Sequence, residues 1–318
     1  MAELKKFGKT DMNITEVGLG AWAIGGPWLF GWGEQDDKKS VKAIHTAIES
    51  GINWIDTAAI YGLGHSEKVV ATALKEMTQK PYIFTKCSLV WDENRNVGDN
   101  LSERSIRMEV ENSLIRLDID VIDLYQIHWP RPVEDLEVGW ETLNKLKEEG
   151  KVRWIGVSNF DAGQMERVKK YGDIFTLQPP YSAIMRGVEE SILPYCKENN
   201  IGVIAYSPMQ SGLLTGKMSK ERFEKLPADD WRRKNKAYTE PEFSRNLKLQ
   251  DLFITIANEN NVKAAHVAIA WVLRNDAVTA AIVGMRSPEQ ALEITEHMDF
   301  RLTDEDFARI NKFIKENL

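Results

Sequence analysis

The sequence predicts an α/β protein built as a (β/α)8 barrel, and three observations carry that reading. Eight short apolar runs recur along the chain, amphipathic helical patterns separate them, and 318 residues are enough for one barrel of such units. Runs this short, rich in β-branched and aromatic residues, read as strands buried on both faces. Parallel strands each need a crossover, usually a helix, and the intervening patterns provide it. An open doubly wound sheet would share the alternation, but eight units is the number that closes a TIM-type barrel.

Taken in order, LKKFGKTDMNIT (4–15) reads as a hairpin turning at GKTD, placed to plug the barrel floor. The strands follow as EVGLG (16–20), INWID (52–56), YIFTK (82–86), VIDLYQIH (121–128), RWIGVS (153–158), FTLQ (175–178), GVIAYS (202–207) and TAAIVG (279–284). Between them, residues 102–118 repeat Ile106, Val110, Leu114 and Leu117 on one helical face, with charges opposite. Residues 133–150 do the same and stop at Gly150, a C′ glycine. SPEQALEITEHM (287–298) opens on Ser287, Pro288 and Gln290 as N-cap, N1 proline and capping-box partner. Residues 303–318 begin with a further capping signal. The interval 206–263 is the long one, carrying SGLLTGK, the basic WRRKNK (231–236) and a helix. It reads as an enlarged loop after the seventh strand, so that residues 1–318 form one domain.

The composition excludes several function classes. A net charge of -7 argues against a nucleic-acid groove or an anionic membrane surface as the main partner, although WRRKNK could hold a small anion. No run approaches the roughly 18 apolar residues of a membrane span, and the first residues carry no signal-peptide core. The two cysteines, Cys87 and Cys196, lie outside any CxxC pattern, which fits a reducing, cytoplasmic setting without a cysteine metal site.

In a βα barrel the chemistry lies where strands end and loops begin. Those positions hold Gly20 and Trp22, then Asp56 with Tyr61 a short turn later, Lys86, His128, Ser158 with Asn159, Gln178, Tyr206 with Ser207, and Gly284 with Arg286. An acid, a phenol, an amine and an imidazole therefore share one rim, and their roles interlock. A free phenol titrates near pH 10, and a neighbouring ammonium is expected to lower that value. Asp56 would hold Lys86, Lys86 would tune Tyr61, and His128 could bond the same substrate oxygen. Such a set suits carbonyl reduction if a hydride donor is present. GLGAWA (18–23) fits the loose GxGxxA dinucleotide pattern, but no helix can follow it in IGGPWLFGWGE, so it reads as a substrate-facing loop. Phosphate sites are expected instead at GMRSPEQ (284–290), a capped helix start beside an arginine, and along SPMQSGLLTGK (207–217) with Lys217.

At these residues the chain resembles the aldo-keto reductases, NAD(P)H-dependent (β/α)8 enzymes, over nearly its whole length. DTAAIYGLGHSE, IFTK, DLYQIHWP, VRWIGVSNF and AYSPMQSGLLTGK carry the likeness in order, and the glycine-rich subgroup of bacterial general-stress and sugar-type reductases looks nearest. The resemblance implies a catalytic tetrad of Asp56, Tyr61, Lys86 and His128, with Tyr61 the general acid. It implies that Ser158, Asn159 and Gln178 hold the nicotinamide amide and that Tyr206 stacks on its ring. Gly20, Trp22 and Asp56 would border the cofactor. The stretch Ser207, Pro208, Gln210, Gly212, Leu213, Gly216 and Lys217 would wrap its pyrophosphate. Gly284, Arg286 and Gln290 would meet a 2′-phosphate, favouring NADP(H) while leaving NAD(H) open. Ile294 stands where the family often has Asn, and Val283 where Pro is usual. His65 falls outside the tetrad.

Trp22, Trp28, Phe30, Trp32, Trp91 and Trp129 fall in loops beyond strand ends and are expected to wall a pocket for a sugar, aromatic or other cyclic carbonyl. Two rival readings remain. A Schiff-base aldolase would use Lys86 as nucleophile but leave GVSNF and SGLLTGK without a purpose. A slow-turnover, cofactor-sensing regulatory subunit would keep the same residues.

Overall fold

The opening hairpin pairs β1 (Leu4–Lys6) with β2 (Asn13–Thr15) in antiparallel register. Its turn delivers Phe7, fully buried, beneath the barrel, where Phe7, Met12 and Ile14 pack with Trp54, Phe84, Leu124 and Ile204. The hairpin therefore plugs the floor as the sequence predicts. These relations come from a computed structural model that describes residues 3–28 and 31–318.

Eight parallel strands close the barrel in the order β3 (Val17–Gly20), β4 (Trp54–Asp56), β5 (Tyr82–Cys87), β8 (Ile122–Ile127), β9 (Val152–Ser158), β10 (Thr176–Gln178), β11 (Gly202–Ala205) and β12 (Ala280–Gly284). A short antiparallel hairpin, β6 (Leu89–Trp91) with β7 (Val97–Asp99), interrupts the third crossover. The helices are α1 (Asp37–Glu49), α2 (His65–Lys75), α3 (Glu103–Leu117), α4 (Leu136–Glu148), α5 (Ala162–Val168), α6 (Ile192–Glu198), α7 (Lys220–Glu224), α8 (Glu242–Glu259), α9 (Ala264–Leu273), α10 (Pro288–Thr295) and α11 (Asp304–Asn317). Among the described residues none is long and apolar enough to cross a membrane.

Local rules explain most boundaries. Ser102 and Thr303 cap α3 and α11 through their side chains, and Gly150, at φ 76°, ends α4. Helix α4 starts at Leu136, because Val133–Asp135 form a separate 3-10 turn. At α10 Ser287 accepts from the Gln290 amide, but the Gln290 side chain takes the Arg286 N–H at 2.9 Å. The predicted capping box is thus shifted outward by one residue. Only Met285 and Arg286 separate β12 from Ser287, and that tight connection turns the Arg286 amide toward Gln290.

The main core lies between strands and helices, while the floor core fills the barrel interior. Trp54 is admitted there by Gly18, where a Cβ would lie 2.1 Å from the indole ring. The enlarged loop after β11 has a small core of its own, Leu213, Met218, Tyr238 and Phe243. Tyr238 Oη, 3.0 Å from the carbonyl oxygens of both Gln210 and Ser211, ties that core to the barrel's upper rim.

Candidate active site

A cleft of about 1310 Å³ opens over the C-terminal ends of the strands. Asp56 ends β4 and Lys86 lies near the end of β5, both pointing into the barrel above the floor aromatics. Lys86 Nζ donates to Asp56 Oδ1 at 2.7 Å and to the Thr57 carbonyl at 2.9 Å, and it lies 3.4 Å from Tyr61 Oη. An ammonium has three protons, and three acceptors surround this one. The amine has no free face for attack on a carbonyl, which disfavours the aldolase reading. Gln178 Nε2 holds the other carboxylate oxygen, Oδ2, at 2.8 Å.

Tyr61 reaches the same point from a turn closed by its own N–H to the Ala58 carbonyl. That turn presses on the 3-10 segment after β3: a Cβ on Gly62, itself at φ 61°, would lie 1.9 Å from the Gly25 carbonyl oxygen. His128 follows β8, and its ring meets that of Tyr61 edge-on, 5.8 Å between centroids. Asp56, Tyr61 and His128 line the cleft while Lys86 lies beneath them, so the four predicted residues do converge. His65 stays apart, bonded to Asp37 at 2.9 Å.

The electrostatics correct one expectation. Burial, with the Asp56 charge second, pushes the Tyr61 phenol well above its ordinary value. The pull of Lys86 does not outweigh that rise, because Asp56 neutralises the ammonium at 2.7 Å while the cavity walls favour the uncharged phenol. Burial likewise pushes the Asp56 carboxyl up and the Lys86 amine down, each partner pulling the other back toward its charged form. Burial, then the Lys86 charge, drives His128 well below its usual range, so its imidazole is neutral. At neutral pH Tyr61 is a held proton donor.

Farther along the cleft, Ser158 Oγ donates to the Gln178 carbonyl at 2.8 Å, and Asn159 Nδ2 reaches the His128 carbonyl at 2.9 Å. Tyr206 Oη donates to Asn159 Oδ1 at 2.8 Å, and Asn159 itself adopts φ 62°. Ser207, Gln210 and Ser211 are also left-handed; such strain costs about 1–3 kcal/mol per residue and gathers at binding sites. Of the residues predicted at the cofactor, Gly20, Trp22, Pro208, Gly212, Lys217, Gly284, Arg286 and Gln290 line the cleft with those already placed. Leu213 and Gly216 do not. Leu213 is buried in the loop's own core, and Gly216 faces Ala264 and Ile254.

Trp22, Trp28, Trp32 and Trp129 line the cleft, but Trp91 does not: its ring packs under the Arg116 guanidinium on α3, 5.9 Å away. Phe30 lies outside the described residues. In place of Trp91 the β6–β7 hairpin contributes Leu89 and Arg95 through Asp99, which no periodicity signalled. Trp231 and Arg232, from the basic stretch noted in the sequence, form a further wall. The Trp231 ring packs on Trp22 and Trp32 at 5.8 and 6.3 Å. The Arg232 and Arg286 guanidiniums lie 4.2 and 5.2 Å from the Trp32 ring.

These donors suit a dinucleotide. Arg232 is neutralised by Asp230 and Lys217 by Glu293, but Arg222 bonds only a backbone carbonyl and no carboxylate pairs with Arg286 among the described residues. Burial and the nearby Arg232 and Arg222 charges push the Arg286 guanidinium below its ordinary value. A phosphate there would relieve that repulsion.

Comparison with known proteins bears directly on this site. Residues 16–315 match the aldo/keto reductase family. The chain belongs to that family. It is 37% identical over 320 residues to the aldo-keto reductase YhdN of Bacillus subtilis, covering 99% of this chain and 95% of that one. It is 36% identical to the NADH-specific methylglyoxal reductase of Escherichia coli, over 94% of each protein. The structure of the glycerol dehydrogenase AKR11B4 from Gluconobacter oxydans superposes with a TM-score of 0.91 at 37% identity, over 99% of this chain and 96% of that one. Family membership makes this protein an oxidoreductase acting on carbonyl and alcohol groups with a nicotinamide cofactor.

Proposed function

We propose that residues 1–318 act as one cytoplasmic barrel domain that reduces a small sugar, aromatic or other cyclic carbonyl compound, with NADP(H) preferred and NAD(H) tolerated. The observation that carries this reading is the buried chain Asp56–Lys86–Tyr61 closing on the cleft beside a neutral His128. When bound, the nicotinamide supplies or accepts a hydride at the carbonyl carbon. Tyr61 and His128 bond the carbonyl oxygen, and Tyr61 Oη gives its proton to that oxygen as it becomes alkoxide-like. The phenol, held protonated, is a poor base but an adequate acid toward so basic an oxygen. Lys86, 3.4 Å away, stabilises the phenolate left behind. Its help falls on the product side of the proton transfer.

Ser158, Asn159 and Gln178 would hold the nicotinamide amide, Tyr206 its ring, residues 207–217 its pyrophosphate, and Arg286 with Arg222 the far phosphate. Trp22, Trp28 and Trp129 give the substrate an aromatic wall, and Asn96 and Asp99 a polar rim. Relatives named for methylglyoxal and for glycerol support a small oxygenated substrate. The NADH-specific relative is the contrary precedent for cofactor choice.

The test is NADPH and NADH oxidation with methylglyoxal, an aldose and an aromatic aldehyde, for the wild type and Tyr61→Phe. Tyr61→Phe should lose about 10²–10⁴-fold in turnover at unchanged cofactor affinity. Near-normal turnover would remove Tyr61 as the acid. Tight cofactor binding without turnover on any substrate would favour the regulatory reading.

A further inference from the structure

Glu109 lies outside the cleft, on the inner face of α3; it is buried, and no cation pairs with it among the described residues. Its neighbour Arg116 is paired instead with Glu67 at 2.6 Å. One Glu109 oxygen, Oε1, takes the Ser105 hydroxyl at 3.0 Å; the other, Oε2, takes the Ser88 backbone N–H at 2.9 Å. A carboxyl placed there without an ion pair costs desolvation energy, which its hydrogen bonds to Ser105 and the Ser88 amide must offset.

Ser88 lies two residues beyond Lys86, at φ 83°, a conformation that a non-glycine residue adopts only when its surroundings enforce it. Each of its polar groups is engaged. The N–H goes to Glu109, the carbonyl accepts from Asn100 N at 2.9 Å, and the hydroxyl lies 3.4 Å from both the amide N and the carbonyl O of Trp129. Asn100 in turn accepts from the N–H and hydroxyl of Ser102, the cap of α3. Ser88 is therefore where three parts of the site meet: the strand that carries Lys86, the base of the β6–β7 hairpin and the His128–Trp129 corner.

We propose that Glu109 is a positioning residue for substrate: by fixing the Ser88 amide it sets the hairpin rim and the Trp129 wall of the cleft. It touches neither substrate nor cofactor. Ser88's own hydrogen bonds go to Glu109, Asn100 and Trp129, none of which is among the groups assigned to the cofactor. The nearest link to those groups is indirect, through the His128 carbonyl that Asn159 Nδ2 reaches at 2.9 Å. The influence of Glu109 should therefore fall on substrates large enough to reach the hairpin, and spare the cofactor. The inference rests on the reading that Tyr61 and His128 mark the carbonyl end of the cleft.

The experiment measures KM and kcat for methylglyoxal and for 4-nitrobenzaldehyde, with cofactor Kd from tryptophan fluorescence, in Glu109→Ala, Glu109→Gln and Ser88→Gly. Glu109→Ala should raise KM for the aromatic aldehyde about tenfold, with methylglyoxal KM and cofactor Kd within about twofold of wild type. Glu109→Gln keeps a carbonyl acceptor for the Ser88 amide and should restore KM. Ser88→Gly keeps the left-handed backbone but loses the hydroxyl link to Trp129, and should raise the aromatic KM about threefold. If Glu109→Ala does not fold, Ser88→Gly still decides. Equal effects on both aldehydes and on cofactor, or an unchanged aromatic KM in Ser88→Gly, would overturn the proposal. Tyr61→Phe run in parallel separates the two claims: if Tyr61 proves essential and these variants show no size-dependent KM, the positioning role alone fails.

Discussion

Two ends of the barrel are built from the same strands and obey different rules. On β4, Trp54 faces the interior at the floor and Asp56, two residues on, faces it at the cleft; on β5, Phe84 and Lys86 repeat the pattern. The two-residue period puts each pair on one side of its strand. At the floor the rings stack, Trp54 on Phe84 at 5.2 Å and Phe7 on Phe84 at 5.9 Å, and the one polar atom, Trp54 Nε1, donates to the Thr15 carbonyl at 2.9 Å. At the cleft the same interior holds a buried ion pair, a suppressed imidazole and a run of left-handed residues. Apolar packing stabilises the floor; the upper layer keeps charges in a dry place, where each favours the uncharged state. The difference teaches that one barrel separates folding from chemistry by a single step along a strand.

The largest effect that could break this separation comes from the floor. Phe7 is fully buried and comes from the plug rather than from a barrel strand. Phe7→Ala should cost about 3–5 kcal/mol of stability, from lost transfer energy and the cavity left behind. Turnover per folded molecule should stay within about twofold, since no catalytic group touches the plug. Chemical denaturation with active-site titration on the same samples checks it. A loss of kcat that matches the loss of stability would show the two ends to be coupled.

The same contrast explains what could be read from the sequence. The eight strands, the plug and most caps were legible, because two-sided burial and capping chemistry are local. The convergence of Asp56, Tyr61, Lys86 and His128 was legible because a barrel fixes where its strands end. The Trp231–Arg232 wall and the β6–β7 rim were not, because tertiary packing of loops decides them, and Trp91 was drawn instead to Arg116. Leu213 was misplaced for the same reason, since its loop has a core of its own. The direction of the Tyr61 shift was misread because adjacency to Lys86 is visible in a motif, whereas the desolvation that outweighs it depends on the closed cavity.

A second, smaller effect sharpens the comparison through pH. The floor cluster contributes no acid or base that titrates near neutrality, but burial raises the Glu109 carboxyl from 4.5 to about 7, against the opposing pull of its Ser105 and Ser88 hydrogen bonds. Arg116 and Glu67 also act on it, in opposite senses. Unfolded, this acid ionises near 4.5; folded, it keeps its proton to about 7, so the folded state binds the extra proton between those values. Its contribution is therefore most favourable below 4.5 and is lost as pH rises through about 7, by at most about 3 kcal/mol. Comparing wild type with Glu109→Gln at pH 5 and pH 8 isolates this one group, since other titrations are common to both. The variant should lose less stability than wild type between the two. Parallel pH curves would show that Glu109 is already ionised in the folded protein.

The smallest effect concerns the far end of the cleft, where the upper layer carries positive charge without a protein partner. Among the described residues no carboxylate is set against Arg286 or Arg222 where they face the cleft, whereas Arg232 already has Asp230. A charge-assisted contact to phosphate adds about 1.5–3 kcal/mol, so Arg286→Ala should weaken NADPH by roughly 10–100-fold. NADH has no such phosphate and should change by no more than about threefold. Removing the guanidinium also exposes the Trp32 ring that it covers. Stability should nevertheless hold or rise slightly, because the variant relieves repulsion among three guanidiniums. Binding titrations with both cofactors at two salt concentrations give the answer, since screening should shrink the NADPH effect and spare NADH. Equal losses for the two cofactors would assign Arg286 to packing against Trp32, and the preference for NADPH would then need another source.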